Sequence, residues 1–377
     1  MIRVSMGCMG SEELAAIQQV FDYGYFGLGT QVLQFEEALQ RYLGAPHVIA
    51  VNTGTAALHL ALDALGIGAG DEVIAPSLTF AACFQAIKMT GATPVSCDVE
   101  PDTLLLDIAD MERRITPRTR ALMPIHYAGS PCDMDAILSL AKRRGLRVVE
   151  DAAHAFGSTL QGRRIGSFGD VTTFSFDSIK NLTCGEGGAI VCHDADLADL
   201  IRTKRMLGTN RKPIAGADLQ DSRWRYQVTT LGFRYHMGNI NAAAGMAQLA
   251  KVDGFIARRR AICRRYDEAL QSLPDIRPLR IDYDETAPHI YVIRVGGGRR
   301  DALARALRAA DVETSLNYVP NHLQPYFQSD GASLPETERA FAEMLTLPLH
   351  CGLSDDDVAT VINGIRAFCG AHAEAAS

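Results

Sequence analysis

The chain has 377 residues, 47% hydrophobic and 21% charged, a composition that excludes disorder and leaves ample apolar surface for buried cores. A formal net charge of -7 argues against a nucleic-acid surface, which needs clustered cations, and no apolar run approaches the roughly 20 residues that span a bilayer. The opening Met1-Ile2-Arg3-Val4-Ser5 lacks the apolar stretch of a secretory signal, so the expected compartment is the cytoplasm, with neither nucleic acid nor membrane as partner.

The length favours two domains of unequal size. From residue 32 to about 250, helix-period and strand-like segments alternate as βα units of a mostly parallel sheet do. Val32, Phe35, Leu39 and Tyr42 recur at helical spacing, and His47 to Val51 reads as a buried strand. A helix from Thr55 to Leu65 ends at Gly66; Glu72 to Ala75 is the next strand, Ala81 to Met89 a helix, and Thr93 to Ser96 a strand. Leu122 to Ile125 and Arg147 to Glu150 are strands around a helix from Asp135 to Arg144. Val171 to Phe176 and Ala189 to Val191 lie close enough in sequence to pair antiparallel, which makes the sheet mixed. Ala247 to Leu270 is helical throughout and carries the chain out of a large domain, residues 1–250, into a smaller α+β domain, residues 251–377. Within the latter, His289 to Val295 reads as a strand, and Arg300 to Ala309 and Asp355 to Phe368 as helices. The basic clusters at 258–260 and 264–265 read as the solvated face of a helix.

Nine cysteines without a Cys-x-x-Cys pair suit reduced thiols and argue against both a disulfide framework and a zinc site, so no metal is expected.

Three segments carry chemistry. Asn52-Thr53-Gly54-Thr55-Ala56-Ala57 is a small-residue turn between strand and helix, where backbone N–H groups and the helix dipole favour an anion. Alone it reads equally as a plain junction capped by threonine. Glu150-Asp151-Ala152-Ala153-His154 sits at the carboxyl end of a buried strand, where open α/β sheets place ligands. There Asp151 either keeps a pyridine nitrogen protonated or caps the following turn. Ser175-Phe176-Asp177-Ser178-Ile179-Lys180 puts a lysine just beyond another buried strand, poised for Schiff-base chemistry if burial lowers its pKa. A lone lysine is far more often a solvated surface residue; what distinguishes Lys180 is its company, a phosphate turn and a buried aspartate in chain order at successive βα junctions.

With these motifs, and with Pro76 to Phe80, Pro124 to Gly129, Leu231 to Met237, Asn321-His322 and Leu347 to His350, the chain from about Gly27 to Leu349 resembles the DegT/StrS-type pyridoxal-phosphate (PLP) dependent nucleotide-sugar aminotransferases of fold type I. The resemblance implies a large domain with a mixed seven-stranded sheet flanked by helices, a small α+β domain, and a homodimer with shared active sites. It implies PLP as cofactor, Lys180 as its covalent attachment point and Asp151 as partner of its ring nitrogen. It further implies that Gly54, Thr55, Ala56 and Ser175 hold the phosphate, that Phe80 stacks on the ring, and that His154 lies at its hydroxyl side. Tyr318, His322 and Glu186 are implied substrate contacts. The implied partners are L-glutamate and a nucleotide-linked keto sugar, in synthesis of an amino sugar for a surface polysaccharide or a glycosylated metabolite. Thr183, Glu186, Gly187 and Gly188 match the pattern of enzymes that aminate C4 of a 4-keto-6-deoxyhexose rather than C3. Arg234 is a departure: the family often has asparagine there, reaching the cofactor phosphate of the other subunit. A non-catalytic PLP-binding regulator is the competing expectation, and retention of the whole lysine, aspartate and phosphate set argues against it.

Overall fold

In the computed structural model, which describes residues 1–210, 226–328 and 332–375, the chain opens with helices α1 (Ser11–Tyr23) and α2 (Thr30–Leu43). α2 buries Val32, Phe35, Leu39 and Leu43 at 3.6-residue spacing and stops at Gly44, whose φ of 67° is the left-handed conformation that ends helices. Three βα units follow: β1 (His47–Val51) with α3 (Gly54–Ala64), β2 (Glu72–Pro76) with α4 (Ala82–Met89), and β3 (Thr93–Cys97) with α5 (Ile108–Arg113). Next come β4 (Thr119–Leu122), α6 (Met134–Arg144) and β5 (Arg147–Asp151), then a short hairpin of β6 (Thr159–Leu160) and β7 (Arg163–Arg164). β8 (Val171–Ser175), β9 (Gly188–Cys192), α7 (Ala195–Arg205), the two-residue strands β10 (Thr209–Asn210) and β11 (Gln227–Val228), and α8 (Asn239–Leu249) complete this part.

Seven strands form one sheet in the order β1-β9-β8-β5-β4-β2-β3. β9 runs antiparallel to both of its neighbours, as expected for the segment paired with β8, and the other pairs are parallel. Leu58, Leu62, Phe84 and Ile87 pack one set of helices on the sheet, and Phe35, Leu39, Phe156 and Phe174 belong to a second apolar layer. Strands buried on both faces explain why β2 and β8 read as unbroken buried runs.

α9 (Val252–Leu270) leads to a three-stranded antiparallel sheet of β12 (Ile276–Pro278), β13 (Tyr291–Val295) and, after α10 (Arg300–Ala309) and α11 (Pro335–Glu343), β14 (Met344–Leu347). α12 (Asp355–Ala375) closes it, and Tyr266, Tyr291, Leu303, Leu345 and Ile365 share one core.

Several expectations are corrected. The helix read as continuous over 247–270 is two helices, α8 and α9; α9 starts on the core it shares with α8, through Val252 and Ile256, and runs into that of the small layer, through Ile262 and Tyr266. Arg259 is not on a solvated face: it is 2% exposed and donates from Nη1 to the carbonyls of His289 (3.1 Å) and Leu349 (3.0 Å). Cys8 and Cys351 form a disulfide, against the expectation of thiols only, while the other seven cysteines are free and buried. Spacing hides this pair, since 343 residues separate it in sequence and only the fold brings its Cα atoms to 6.7 Å. Ile2 bridges Val312, and Val4 accepts from Leu349 N–H, so the first residues lie on the small C-terminal layer, not on the seven-stranded sheet.

Candidate active site

Turns leaving the carboxyl ends of β1, β2, β5 and β8 converge on a cavity of about 470 Å³. At one end is the start of α3. Thr53 Oγ1 accepts the Ala56 N–H at 3.0 Å, which caps the helix, and Gly54 and Thr55 line the cavity at the positive end of its dipole. Ala56 lies one position further in, its N–H taken by that cap. Ser175, the last residue of β8, closes on Gly54 so tightly that a Cβ there would stand 2.7 Å from Ser175 Cβ. Glycine at 54 is thus a requirement of packing.

At the end of β5, Asp151 caps the turn that follows and faces the cavity. Its Oδ1 accepts the Ala153 N–H at 2.9 Å, fixing the turn, and its carboxylate also lines the cavity. Its Oδ2 accepts from the buried thiol of Cys83 at 2.8 Å, and Thr79 lies 3.3 Å from the same sulfur. His154 bonds through Nε2 to the Tyr318 hydroxyl at 2.9 Å, while its Nδ1 is buried without a partner. Phe80 is 57% exposed although aromatic, and leans on the Tyr318 ring with centroids 5.4 Å apart. An exposed aromatic face beside Ala153 suits a flat ring between them.

Lys180 lies on the turn after β8. Burial brings its ammonium down to about 8, against the opposing charges of Asp151 and Asp177. Its Nζ stands 3.4 Å from His289 Nε2. Burial, then the charge of Lys180, holds both His154 and His289 well below the usual imidazole range, so both are neutral. An anion cradle, an aromatic shelf, a carboxylate and an amine available in its neutral form match, group for group, the phosphate, ring, ring nitrogen and aldehyde of PLP.

The profile of the DegT/DnrJ/EryC1/StrS aminotransferase family matches residues 7–366. The chain belongs to this family. It is 40% identical over 372 residues to the spore coat polysaccharide biosynthesis protein SpsC of Bacillus subtilis (strain 168), covering 96% of this chain and 95% of SpsC. The aminotransferase TlmJ from Streptoalloteichus hindustanus superposes with a TM-score of 0.93 at 37% identity, over 99% of this chain and 100% of TlmJ. Spr1654 from Streptococcus pneumoniae, in its PMP form, gives 0.92 at 30% identity, over 97% and 98% of the two chains. DegT-family aminotransferases are PLP-dependent, and this protein is one of them.

Of the other residues expected at this family member's site, Tyr318 and Glu186 line the cavity, with Glu186 exposed at its rim. Partial burial, then Asp177, raises the Glu186 carboxyl above its ordinary range. His322 lies elsewhere: its Nδ1 is 2.7 Å from Ser77 Oγ, and it borders a separate hollow with Phe84 and Phe327. Arg234 is exposed on the segment before α8, outside the cavity of its own chain. The parts played by three residues went unread in the sequence. Cys83 follows Thr79 by four residues, from a bend into the first turn of α4, a weak signal. Arg259 falls on the stripe Val252, Ile256, Cys263, Tyr266, all buried, and that alternation of fours and threes marks it as inward-facing. His289 stood at the edge of a predicted strand with nothing to set it apart.

Among the described residues no helix is long and apolar enough to cross a membrane, and no group of three or more His, Cys, Asp or Glu side chains has the arrangement of a metal site.

Proposed function

We propose that this aminotransferase moves an amino group from L-glutamate to a nucleotide-linked keto sugar, at C4 of a 4-keto-6-deoxyhexose, for a surface polysaccharide or a glycosylated metabolite. The observation that carries the reading is the meeting in one cavity of Lys180, brought down to about 8, with Asp151 and the start of α3. The name of SpsC, a spore coat polysaccharide biosynthesis protein, supports a sugar acceptor. Thr183, Glu186, Gly187 and Gly188 support C4.

PLP supplies an electron sink that makes the donor's α-proton removable. Lys180 would be the covalent attachment point, and its amine would take the α-proton of glutamate and give a proton to the sugar carbon. Asp151, its two oxygens oriented by Ala153 and Cys83, holds a ring nitrogen protonated. Gly54, Thr55 and Ser175 would receive the phosphate, with Ala56 behind them engaged by Thr53, and Phe80 and His154 would hold the ring. Glu186 and Tyr318 would face the sugar, while His322, bound to Ser77 outside the cavity, has no part in holding it. The enzyme works in the cytoplasm as a homodimer, in which Arg234 reaches the cofactor phosphate or substrate of the neighbouring subunit.

The test is to offer the enzyme, with glutamate, separate 4-keto and 3-keto sugars on uridine, guanosine and thymidine diphosphate, and to locate the new C–N bond by NMR. Amination of the 4-keto sugars alone is expected. Amination of the 3-keto sugars alone overturns C4, and a bound cofactor that glutamate fails to bleach overturns the donor.

A further inference from the structure

Lys180 has one buried neighbour to which the transfer reaction gives no role. His289 precedes β13 in the small layer and is 3% exposed. Its backbone is tied on both sides: the N–H donates to the Ala128 carbonyl at 3.0 Å, and the carbonyl accepts from Arg259 Nη1 at 3.1 Å. The imidazole is thereby aimed with Nε2 3.4 Å from Lys180 Nζ, its Nδ1 has no hydrogen-bond partner, and its ring centre is 4.4 Å from that of His154.

Burial first, then the lysine in front and the Arg259 guanidinium behind, disfavours a protonated imidazole here, so the ring is neutral. Below about 8 Lys180 is an ammonium, which has N–H to give and no lone pair to receive one, so Nε2 of the neutral imidazole is the acceptor and the proton sits on Nδ1.

The other polar groups facing the amine are Asp151, Asp177, Cys83 and His154. Asp151 is engaged by Ala153 and Cys83, Asp177 Oδ1 by Ile179 and Ser178, and His154 Nε2 by Tyr318. His289 Nε2 is the acceptor that remains in contact with Nζ. A lysine amine at the end of a four-carbon stem otherwise rotates freely, and its single lone pair points where chance puts it.

We propose that His289 is a positioning residue for Lys180: it accepts one N–H of the free amine and so turns the lone pair toward the cavity. This rests on Lys180 being the cofactor-bearing lysine. Arg259 belongs to the same device, since it holds the carbonyl of the residue that does the aiming.

Two variants test it. His289→Phe keeps a buried ring and removes the acceptor; His289→Gln retains an acceptor. The Phe variant should lose roughly 10- to 100-fold in kcat, the order expected when a reacting group is misaligned, with KM for both substrates within about twofold of the parent. The Gln variant should recover much of that loss. A second readout needs no turnover. In cofactor-free protein, trace acetylation across a pH series, read by mass spectrometry at the Lys180 peptide, gives the midpoint at which the amine becomes reactive. Loss of an acceptor disfavours the ammonium, so the midpoint should fall in the Phe variant and return toward the parent in the Gln variant. An unchanged midpoint in the Phe variant overturns the proposal, whether or not kcat falls, because a merely structural role leaves it unmoved. Borohydride fixation of PLP in the parent enzyme separates the two readings. Label on Lys180 with an unmoved midpoint sinks the positioning role alone, and label on another lysine sinks the role of Lys180 as well.

Discussion

Replacing Gly54 with alanine sets two effects of opposite sign against each other. Alanine within a helix is favoured over glycine by about 0.5–1 kcal/mol, so a position free of contacts would be stabilised. At Gly54 the new Cβ would stand 2.7 Å from Ser175 Cβ and 3.3 Å from Ser175 Cα, both anchored on the end of β8 rather than on a side chain able to swing away. Overpacking of this kind costs about 1–3 kcal/mol, so the net expectation is a loss of up to about 2.5 kcal/mol and no gain. The same displacement opens the cradle. Forfeiting one charged hydrogen bond to a phosphate, worth about 1.5–3 kcal/mol, weakens cofactor binding by roughly 10- to 150-fold. Urea unfolding of the cofactor-free protein measures the first quantity, and a spectrophotometric titration with PLP measures the second. A variant that is more stable than its parent and binds PLP equally well would refute the close approach of α3 and β8 and, with it, the cradle.

Three further outcomes are expected. Lys180→Ala should retain PLP without covalent attachment and lose turnover by several orders of magnitude, and borohydride should no longer fix the cofactor to the protein. Capture of PLP by the stripped enzyme should accelerate as pH rises and level off above about 8, because the amine is neutral above its folded-state midpoint; a plateau reached only above 10 would contradict the effect of burial on Lys180. Arg234→Ala should weaken PLP or nucleotide-sugar affinity by roughly 10- to 150-fold, the worth of a charged hydrogen bond, while the circular dichroism spectrum stays that of the parent; unchanged affinity for both ligands would remove Arg234 from the site.

What could be read in advance follows from how local the determining interaction is. The strands and helices that build the cavity announce themselves through apolar runs and capping residues within a few positions of each other, as at Thr53 and Ala56 or at Asp151 and Ala153. The break between α8 and α9 has no such mark: Ala250 keeps helical backbone angles, and Val252 and Ile256 at the start of α9 still pack with Phe35 and Leu182 before Ile262 and Tyr266 join Tyr291 and Leu345. The Cys8–Cys351 bond and the pairing of Ile2 with Val312 depend in the same way on residues more than 300 positions apart. Within the site, the contact of His289 with Lys180 spans 109 residues and joins the small layer to the large sheet. His322 illustrates the converse, since a recognisable Asn-His pair is engaged by Ser77 and Thr79 and turned away from the cavity.

β9, the reversed strand of the large sheet, bears on how such an enzyme changes its acceptor. Val51, Gly188 and Ser175 stand on a single rung across β1, β9 and β8, so the cradle and the strand that delivers Lys180 are locked in one register. A Cβ on Gly188 would meet the Thr53 carbonyl at 2.6 Å, which bars drift at that rung. The loop that joins β8 to β9 is pinned as well, by Asn181 to the Ala287 carbonyl and by Asn241 to the Cys184 carbonyl, and Gly185 is committed to a left-handed φ of 77°. Glu186 is what this scaffold leaves free: an exposed side chain at the mouth, carried on a frame too rigid to shift when it is replaced. With Glu186 facing the sugar as proposed, divergence in sugar preference can accumulate at that position while the chemistry beneath it stays untouched, and a library aimed at new acceptors should begin there.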